Sequence, residues 1–473
     1  MEGIVVKLIC RKNHPNPNKG GEFIIQQKKK NKQRRISRKE QRQNEAELKD
    51  SNALIKVIRH FFPELIEMLS QVVDRRHKSY VKYRAEEILF LRILCAVFFI
   101  KSMRSITQEL NQQICIENVC KILGLPLQEE IPHWSTINHF LEELSPAEIE
   151  KIISKTIRRM IRMKTFQESR IRGKYWQILI DGTGIYSFGN KAHCEHCLKR
   201  EHKDKSGKVI RTEHYHYVLE AKLVLGESLV FSIGTEFVEN ENADVSKQDC
   251  ELVAFYRLAE RMKSSFPRMP MCLTVDSLYA KKPVFDICRN NGWHYLVRFK
   301  DGSMPSVAAD FHELKELEAE QQFSKKENDI LMSYKYVNGI EYKGHSLKFV
   351  ECIQENKEYP FVYLTDMEIT RKNCEETVCD GRRRWRIENE GFNCQKNHGY
   401  HLEHQFSEDS TAMKNHYLLI QIGHMISQLI ELVCQKIVPR SSIEWIHERI
   451  KRYFETIPIE FVGGFEIKYR LRM

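Results

Sequence analysis

The sequence predicts a mixed α/β protein, with a sheet-containing core behind an all-helical N-terminal region and a β-rich insertion before a late helix. Three observations predict it. Between Ser51 and Lys164 apolar residues recur at helical spacing, as in Ile55, Ile58, Phe62, Leu65, Ile66 and Leu69. From Tyr175 onward, short apolar runs alternate with amphipathic segments, an order that implies a central sheet covered by helices. From Asp301 to about Tyr359 the chain turns polar and carries short β-type runs, Ser333–Tyr336 and Leu347–Cys352.

Size and composition bound the rest. At about 150 residues per domain, a chain of 473 residues holds two to four domains. With 42% hydrophobic residues it can build real cores. The formal net charge of +11 and a pI near 8.9 favour a polyanionic partner, because lysine and arginine displace counterions from phosphates. A membrane is not expected: no amphipathic helix of suitable length stands out. The longest apolar run, Ile88 to Ile100, is interrupted by Arg92 and is shorter than the ~20 residues a bilayer needs. It reads as a buried core helix. The N-terminus has no apolar signal region, and the 14 cysteines are scattered, so the chain reads as cytoplasmic with reduced thiols.

Taken in order, residues 1–50 read as a disordered basic arm. Lys28 to Arg42 holds nine lysines and arginines against the single acid Glu40, a run suited to DNA phosphate or to plain solvation. Pro63 breaks the first helical stretch or starts a new one, and further helices are expected at Ala85–Ile100, Ser105–Leu123 and Ser145–Met163. Ser135 is a plausible N-cap before Asn138-His139-Phe140-Leu141, where a helix–turn–helix is one reading and ordinary helical packing the other. Trp176–Ile180 is then a strand ending at Asp181, followed by strands Tyr215–Leu225 and Ser228–Phe237, a helix Ser246–Ser264, and a buried strand Met271–Val275 ending at Asp276. A helix near Pro283–Asn290, a strand His294–Phe299, the polar insertion, a returning strand Phe361–Leu364 and helices Cys374–Asn397 and Ala412–Val433 complete the order.

Asp181 and Asp276 carry the chemistry. A carboxylate at the end of an apolar strand is held by a rigid element, and two on neighbouring strands can face one site. Mg²⁺ prefers oxygen ligands and takes one or two carboxylates plus phosphate oxygens. Strand-end aspartates also form turns and caps, so each alone is weak evidence. Arg384 and Glu388 stand four apart in DGRRRWRIENEGFNCQKN and share a helical face, offering a carboxylate for metal and a cation for phosphate. A solvated, charge-laced helix is the alternative, against which Trp385 and Phe392 argue that one side is buried.

On the motifs IDGTG, TVDSLYA and RWRIENEGFN, the chain resembles the insertion-sequence transposases of the DDE type. The resemblance covers about Trp176 to Val433. It implies an RNase H-like mixed-sheet core in which the first aspartate ends strand one, the second ends strand four, and the glutamate sits on a late helix after a β-rich insertion. It further implies Mg²⁺ or Mn²⁺ held by Asp181, Asp276 and Glu388, and cleavage and strand transfer of double-stranded DNA at terminal inverted repeats and a target. A homodimer on DNA, in a bacterial-type cytoplasm close to the nucleoid, would go with that activity. Arg384 and Lys396 would bind phosphate. The family's helical face carries tyrosine, arginine, glutamate and lysine; here Gly381 stands at the tyrosine position and Gln395 at the lysine position, with Lys396 one residue later. If Lys396 is the family lysine, Glu390 becomes the third acid. These departures also motivate a catalytically inactive, repurposed DNA-binding protein, and a nuclease that cuts without joining is a further alternative. Under this reading the chain divides into the arm (1–50), a helical DNA-binding or dimerisation domain (51–170), the first part of the core (171–300), the insertion (301–360), the last part of the core (361–435) and a C-terminal tail (436–473).

One further cluster is chemical. His193-Cys194-x-x-Cys197 precedes His214 and His216 across a polar turn. Cys194, Cys197, His214 and His216 offer a possible structural zinc site, against coincidence in a chain with 14 cysteines and 19 histidines. Trp293, Tyr334, Tyr336 and Tyr342 could stack on an unpaired base, or serve as core residues.

Overall fold

The apolar stripe that opens at Ala53 winds into helices α1 (Ala53–Phe61) and α2 (Leu65–Ser70), separated at Pro63 as the sequence suggested. The computed structural model describes residues 5–7, 37, 39, 53–242, 245–317, 321–327, 329–437, 441–459 and 470–472. Most of the expected basic arm falls outside them, although Val5–Lys7 forms a parallel pair with Arg470–Arg472. The chain divides into two units, one of Met1–Thr165 with Asn393–Met473 and one of Phe166–Phe392.

The first unit is helical. After α2 come α3 (Ala85–Val97), α4 (Met103–Leu110), α5 (Gln113–Leu123), α6 (Trp134–Glu143) and α7 (Pro146–Met160). All residues of α3 are buried. It packs against the long α13 (Ser410–Ile437), where a Cβ on Gly423 would lie 3.3 Å from the Ile93 carbonyl oxygen. Glycine lets the two backbones approach. Buried Arg92 is reconciled with this core by donating to His416 Nδ1 at 2.8 Å and lying over the Phe406 ring. Burial, then the Arg92 charge, holds the His416 imidazole well below its ordinary value, so it stays neutral and can accept. By length and composition α13 could cross a membrane, but 83% of its apolar window is buried inside the fold.

Three expectations in this unit need correction. The N-cap of α6 is His133, whose side chain accepts from the Ser135 backbone N–H; Ser135 already lies inside the helix. The connection before α6, residues 124–133, is longer than the three- or four-residue turn of a helix–turn–helix, so α5 and α6 do not form one. The expected C-terminal tail includes a helix, α14 (Ile443–Thr456), docked where Asn118 Nδ2 donates to the Phe454 and Ile457 carbonyls at 2.8 and 2.9 Å.

The second unit is built on a ten-stranded mixed sheet. Its strands are β1 (Trp176–Ser187), β2 (Leu198–Lys203), β3 (Val209–Leu225), β4 (Leu229–Val238), β5 (Met271–Val275), β6 (His294–Arg298), β7 (Gln322–Glu327), β8 (Ile330–Tyr342), β9 (His345–Gln354) and β10 (Phe361–Thr365). The order is β2-β3-β1-β5-β6-β10-β9-β8-β7, with β4 on β3. Only β1·β5 and β5·β6 are parallel. β1, β5 and β6 are near-continuous apolar runs because they are central and covered on both faces. β3 is long enough to pair with β2 through Tyr215 and with β4 from Tyr217. The hairpin strand β2, whose outward residues are charged, carries no apolar alternation and was not anticipated.

The strands of the insertion are not separate: β9 pairs with β10, so β7, β8 and β9 extend the one sheet. A helix, α10 (Pro305–Leu317), opens the insertion. Trp293 and Tyr334 are core residues, Tyr334 stacking on Phe323 at 5.0 Å, and neither can receive a base. Helices α8 (Glu251–Ser265) and α9 (Lys282–Asn291) flank β5 in sequence. The expected single helix from Cys374 to Asn397 is instead α11 (Cys374–Arg382), a π-helix (Ile387–Asn393) and a short α12 (Cys394–Asn397). Ile387 and Phe392 bury against Leu179, Val224 and Val230. The wider turn of a π-helix brings both to the sheet although they are five apart.

Candidate active site

Asp181 does not end its strand. Thr183, Ile185 and Tyr186 carry β1 onward to Ser187 along β3, and Gly182 and Gly184 lie inside the ladder. Gly182 has a local reason: a Cβ there would sit 2.6 Å from Cζ of Tyr217, so only glycine leaves room for that ring. Asp276 does follow its strand directly and caps the short turn after it, its Oδ1 accepting from the Leu278 N–H at 2.8 Å.

Register brings the two aspartates together. The last β1·β5 pair is Leu179 with Thr274, and two residues further on each strand stand Asp181 and Asp276. Parallel neighbours lie about 4.8 Å apart, and even steps keep both side chains on one face. The crevice beyond the carboxyl ends of adjacent parallel strands is where open α/β sheets bind ligands. Burial pushes the Asp181 carboxyl up to about 6, Arg384 opposes this, and the negative charges of Glu251 and Asp276 add to the rise. Arg384 is the counter-ion, its Nη1 2.7 Å from Asp181 Oδ2. The segment that carries Arg384 is held over β1 and β5 by Gln177, whose Nε2 donates to the Asp380 carbonyl at 2.7 Å and contacts Thr274 Oγ1 at 3.0 Å.

Glu251 was missed from the sequence. It opens α8, and its two oxygens accept from the Tyr217 and Tyr279 hydroxyls, each at 2.8 Å. The only trace in the sequence is an acid in the first turn of a helix, which is too common to stand out.

The two candidates for the third acid differ in their surroundings. Glu388 is exposed, four residues after Arg384. Glu390 is half-buried beside Arg386; burial pushes its carboxyl up and Arg386 opposes this. Arg386 donates to the Gly226 and Leu229 carbonyls at the β3–β4 turn. Gly226 lies six residues along β3 from Glu220, the partner of Asp181, or roughly 20 Å at strand rise. Gly381, at the family's tyrosine position, is buried against Tyr363, where a Cβ would come within 2.7 Å of the ring. In the helical unit, Gln395 is fully buried, donating to Gln421 at 2.8 Å, and Lys396 pairs with Glu403 at 3.0 Å.

The second cluster also differs from expectation. Cys194, Cys197 and His216 come together, with His193 beside them. His214 instead turns its Nδ1 to the Gly189 carbonyl at 3.1 Å.

Residues 66–157 match a family model described as DDE_Tnp_1-associated. That domain is found in DDE-type transposases, so the match supports the resemblance drawn from the motifs and points to a transposase-family role. No curated protein matches the chain.

Proposed function

We propose that the chain is a DDE transposase with an RNase H-like core, cleaving and joining double-stranded DNA at the ends of its element. The observation that carries this reading is the matched register of Asp181 and Asp276 on parallel β1 and β5, with Arg384 of the late helical segment on Asp181. Leaving out the hairpin strand β2, these are strands one and four, as in the family.

The donor set fits a hard divalent cation: carboxylate oxygens gathered where burial first, and then the charges of Glu251 and Asp276, raise Asp181. Asp181, Asp276 and Glu388 would hold Mg²⁺ or Mn²⁺, which supplies charge neutralisation and activation of water or a 3′-hydroxyl. Glu388 is preferred to Glu390 because it shares a helical face with Arg384, whereas Glu390 lies in the field of Arg386. Glu251, fixed by two tyrosine hydroxyls, adds negative charge beside Asp181. Arg384 exchanges Asp181 for a phosphate oxygen when DNA enters. Phosphoryl transfer asks mainly for such positioning and neutralisation. Lys396 is a weaker phosphate ligand than expected, since Glu403 already pairs with it. With Gln395 buried at the lysine position, this favours the repurposed DNA-binding protein as second reading.

Purified protein with Mg²⁺ or Mn²⁺ is expected to nick a duplex carrying the terminal repeats of its own element and to join pre-cut ends to a target. Asp181→Asn, Asp276→Asn and Glu388→Gln should each reduce both reactions to background. Cleavage that persists in all three variants ends the proposal; binding without any cutting by the wild type selects the second reading, and cutting without joining selects a nuclease.

A further inference from the structure

We propose that His193, Cys194, Cys197 and His216 form a closed tetrahedral zinc site that fastens the β1–β2 loop onto β3. The geometry carries this. Cys194 Sγ lies 3.4 Å from His216 Nε2, Cys197 Sγ lies 3.6 Å from the same nitrogen, and the two sulfurs are 3.8 Å apart. Zn–S bonds near 2.3 Å and Zn–N bonds near 2.05 Å give a regular tetrahedron S···S edges of about 3.8 Å and S···N edges of about 3.6 Å. Three of the six edges are therefore already at coordination length. A disulfide would need the sulfurs at about 2.05 Å. His193 supplies the fourth corner: its ligand nitrogen lies within 4.8 Å of both Cys194 Sγ and the His216 nitrogen. Its ring stacks on Phe188 at 4.6 Å, which holds it beside the cysteine turn.

The loop is shaped to hold this arrangement. Asn240 is buried and grips the Cys194–Cys197 turn three ways. Its Nδ2 donates to the Cys197 carbonyl at 2.9 Å, its N–H donates to the His196 carbonyl at 3.1 Å, and its own carbonyl accepts from His196 Nδ1 at 2.9 Å. His214 is not among the ligand atoms that converge here, which are those of His193, Cys194 and His216; its Nδ1 faces the Gly189 carbonyl at 3.1 Å. Binding releases two thiol protons and leaves a neutral site, two thiolates and two neutral imidazoles around Zn²⁺. With four protein ligands there is no open position, so the role is structural: the metal anchors the root of the charged β2–β3 hairpin. It is also separate from the aspartates, since His216 pairs with Tyr186, five residues or about 17 Å along β1 from Asp181.

The test is metal content of the full chain after gel filtration, read by elemental analysis, together with the absorption spectrum of protein loaded with Co²⁺. Wild type, His214→Ala and the Asp181→Asn/Asp276→Asn double variant should each retain about one zinc per chain, and Cys194→Ser/Cys197→Ser less than about a tenth of that. His193→Ala should weaken retention. The Co²⁺ form of the wild type should show thiolate charge-transfer bands and intense tetrahedral d–d bands, a readout that stands even if the cysteine variant fails to fold. Wild type that retains no zinc after incubation with excess metal overturns the proposal. So does a cysteine variant that retains as much as wild type, or a Co²⁺ spectrum without thiolate bands.

Discussion

Substituting Gly182 by alanine places a methyl group in the space of the Tyr217 ring, and the structure lets the cost be worked out. The new Cβ would stand 2.6 Å from Tyr217 Cζ, whereas ordinary contact begins near 3.4 Å, so the ring must retreat by roughly 1 Å. Overpacking of this kind costs typically 1–3 kcal/mol. The retreat also strains the hydroxyl's 2.8 Å bond to the Glu251 carboxylate, and a hydrogen bond to a charged group is worth about 1.5–3 kcal/mol. The sum is about 2.5–6 kcal/mol, with Asp181 displaced because it is the preceding residue. Hydrogen exchange of β1 and β3 amides reads this locally, which matters in a chain of two units. A cycle with Tyr217→Ala isolates the clash, because in that background the methyl has nothing to meet. The expected result is strong destabilisation by Gly182→Ala alone and little in the Tyr217→Ala background. Equal costs in the two backgrounds would refute the steric argument.

Other perturbations probe the neighbouring groups. Tyr217→Phe and Tyr279→Phe each remove one donor to Glu251 and should slow metal-dependent cleavage about five- to tenfold, or about 1 kcal/mol, checked by single-turnover kinetics. Glu390→Gln should keep cleavage while lowering the unfolding midpoint, because it removes the carboxylate that faces Arg386; loss of cleavage would return Glu390 to the site. Burial pushes the Asp380 carboxyl up to about 7 from its ordinary 3.8, with Arg383 opposing, so the folded state keeps a proton that the unfolded state releases. Stability contributed by this group is therefore full below about pH 4 and lost as pH rises to about 7, on the order of 4 kcal/mol. Asp380→Asn should flatten that decline in urea titrations at a series of pH values; an unchanged slope counts against it.

Much of the fold was legible because periodicity reports burial. The buried runs at β1, β5 and β6 and the stripes of the helical unit stood out for that reason. What escaped detection was set by partners distant in the chain. The strand β2 has no apolar alternation, and only its ladder with β3 makes it a strand. β1 was expected to end at Asp181 because the apolar run stops at Ile180; the ladder with β3 that carries it to Ser187, and the Tyr217 ring that explains Gly182, come from farther along the chain. The break in the expected Cys374–Asn397 helix reflects the demand that both Ile387 and Phe392 reach Leu179 and Val224, which no local propensity encodes. In the candidate site the aspartates could be found by sequence, since each follows a buried run. Glu251 could not, because its tyrosine partners come from two other elements. Of the proposed zinc ligands, spacing alone does not tell His193 from His214; only the fold brings His193 beside Cys194 and His216.

The helical unit is closed by a segment that follows the whole sheet unit in the chain. α13, which α1, α3, α6 and α7 all pack against, is synthesised only after residues 166–392 have emerged. On the ribosome the sheet unit can therefore finish folding while the earlier helices still wait with their apolar faces uncovered. Those faces are the surface most open to chaperones and to misassociation between nascent chains, and the interval lasts for the translation time of the intervening unit.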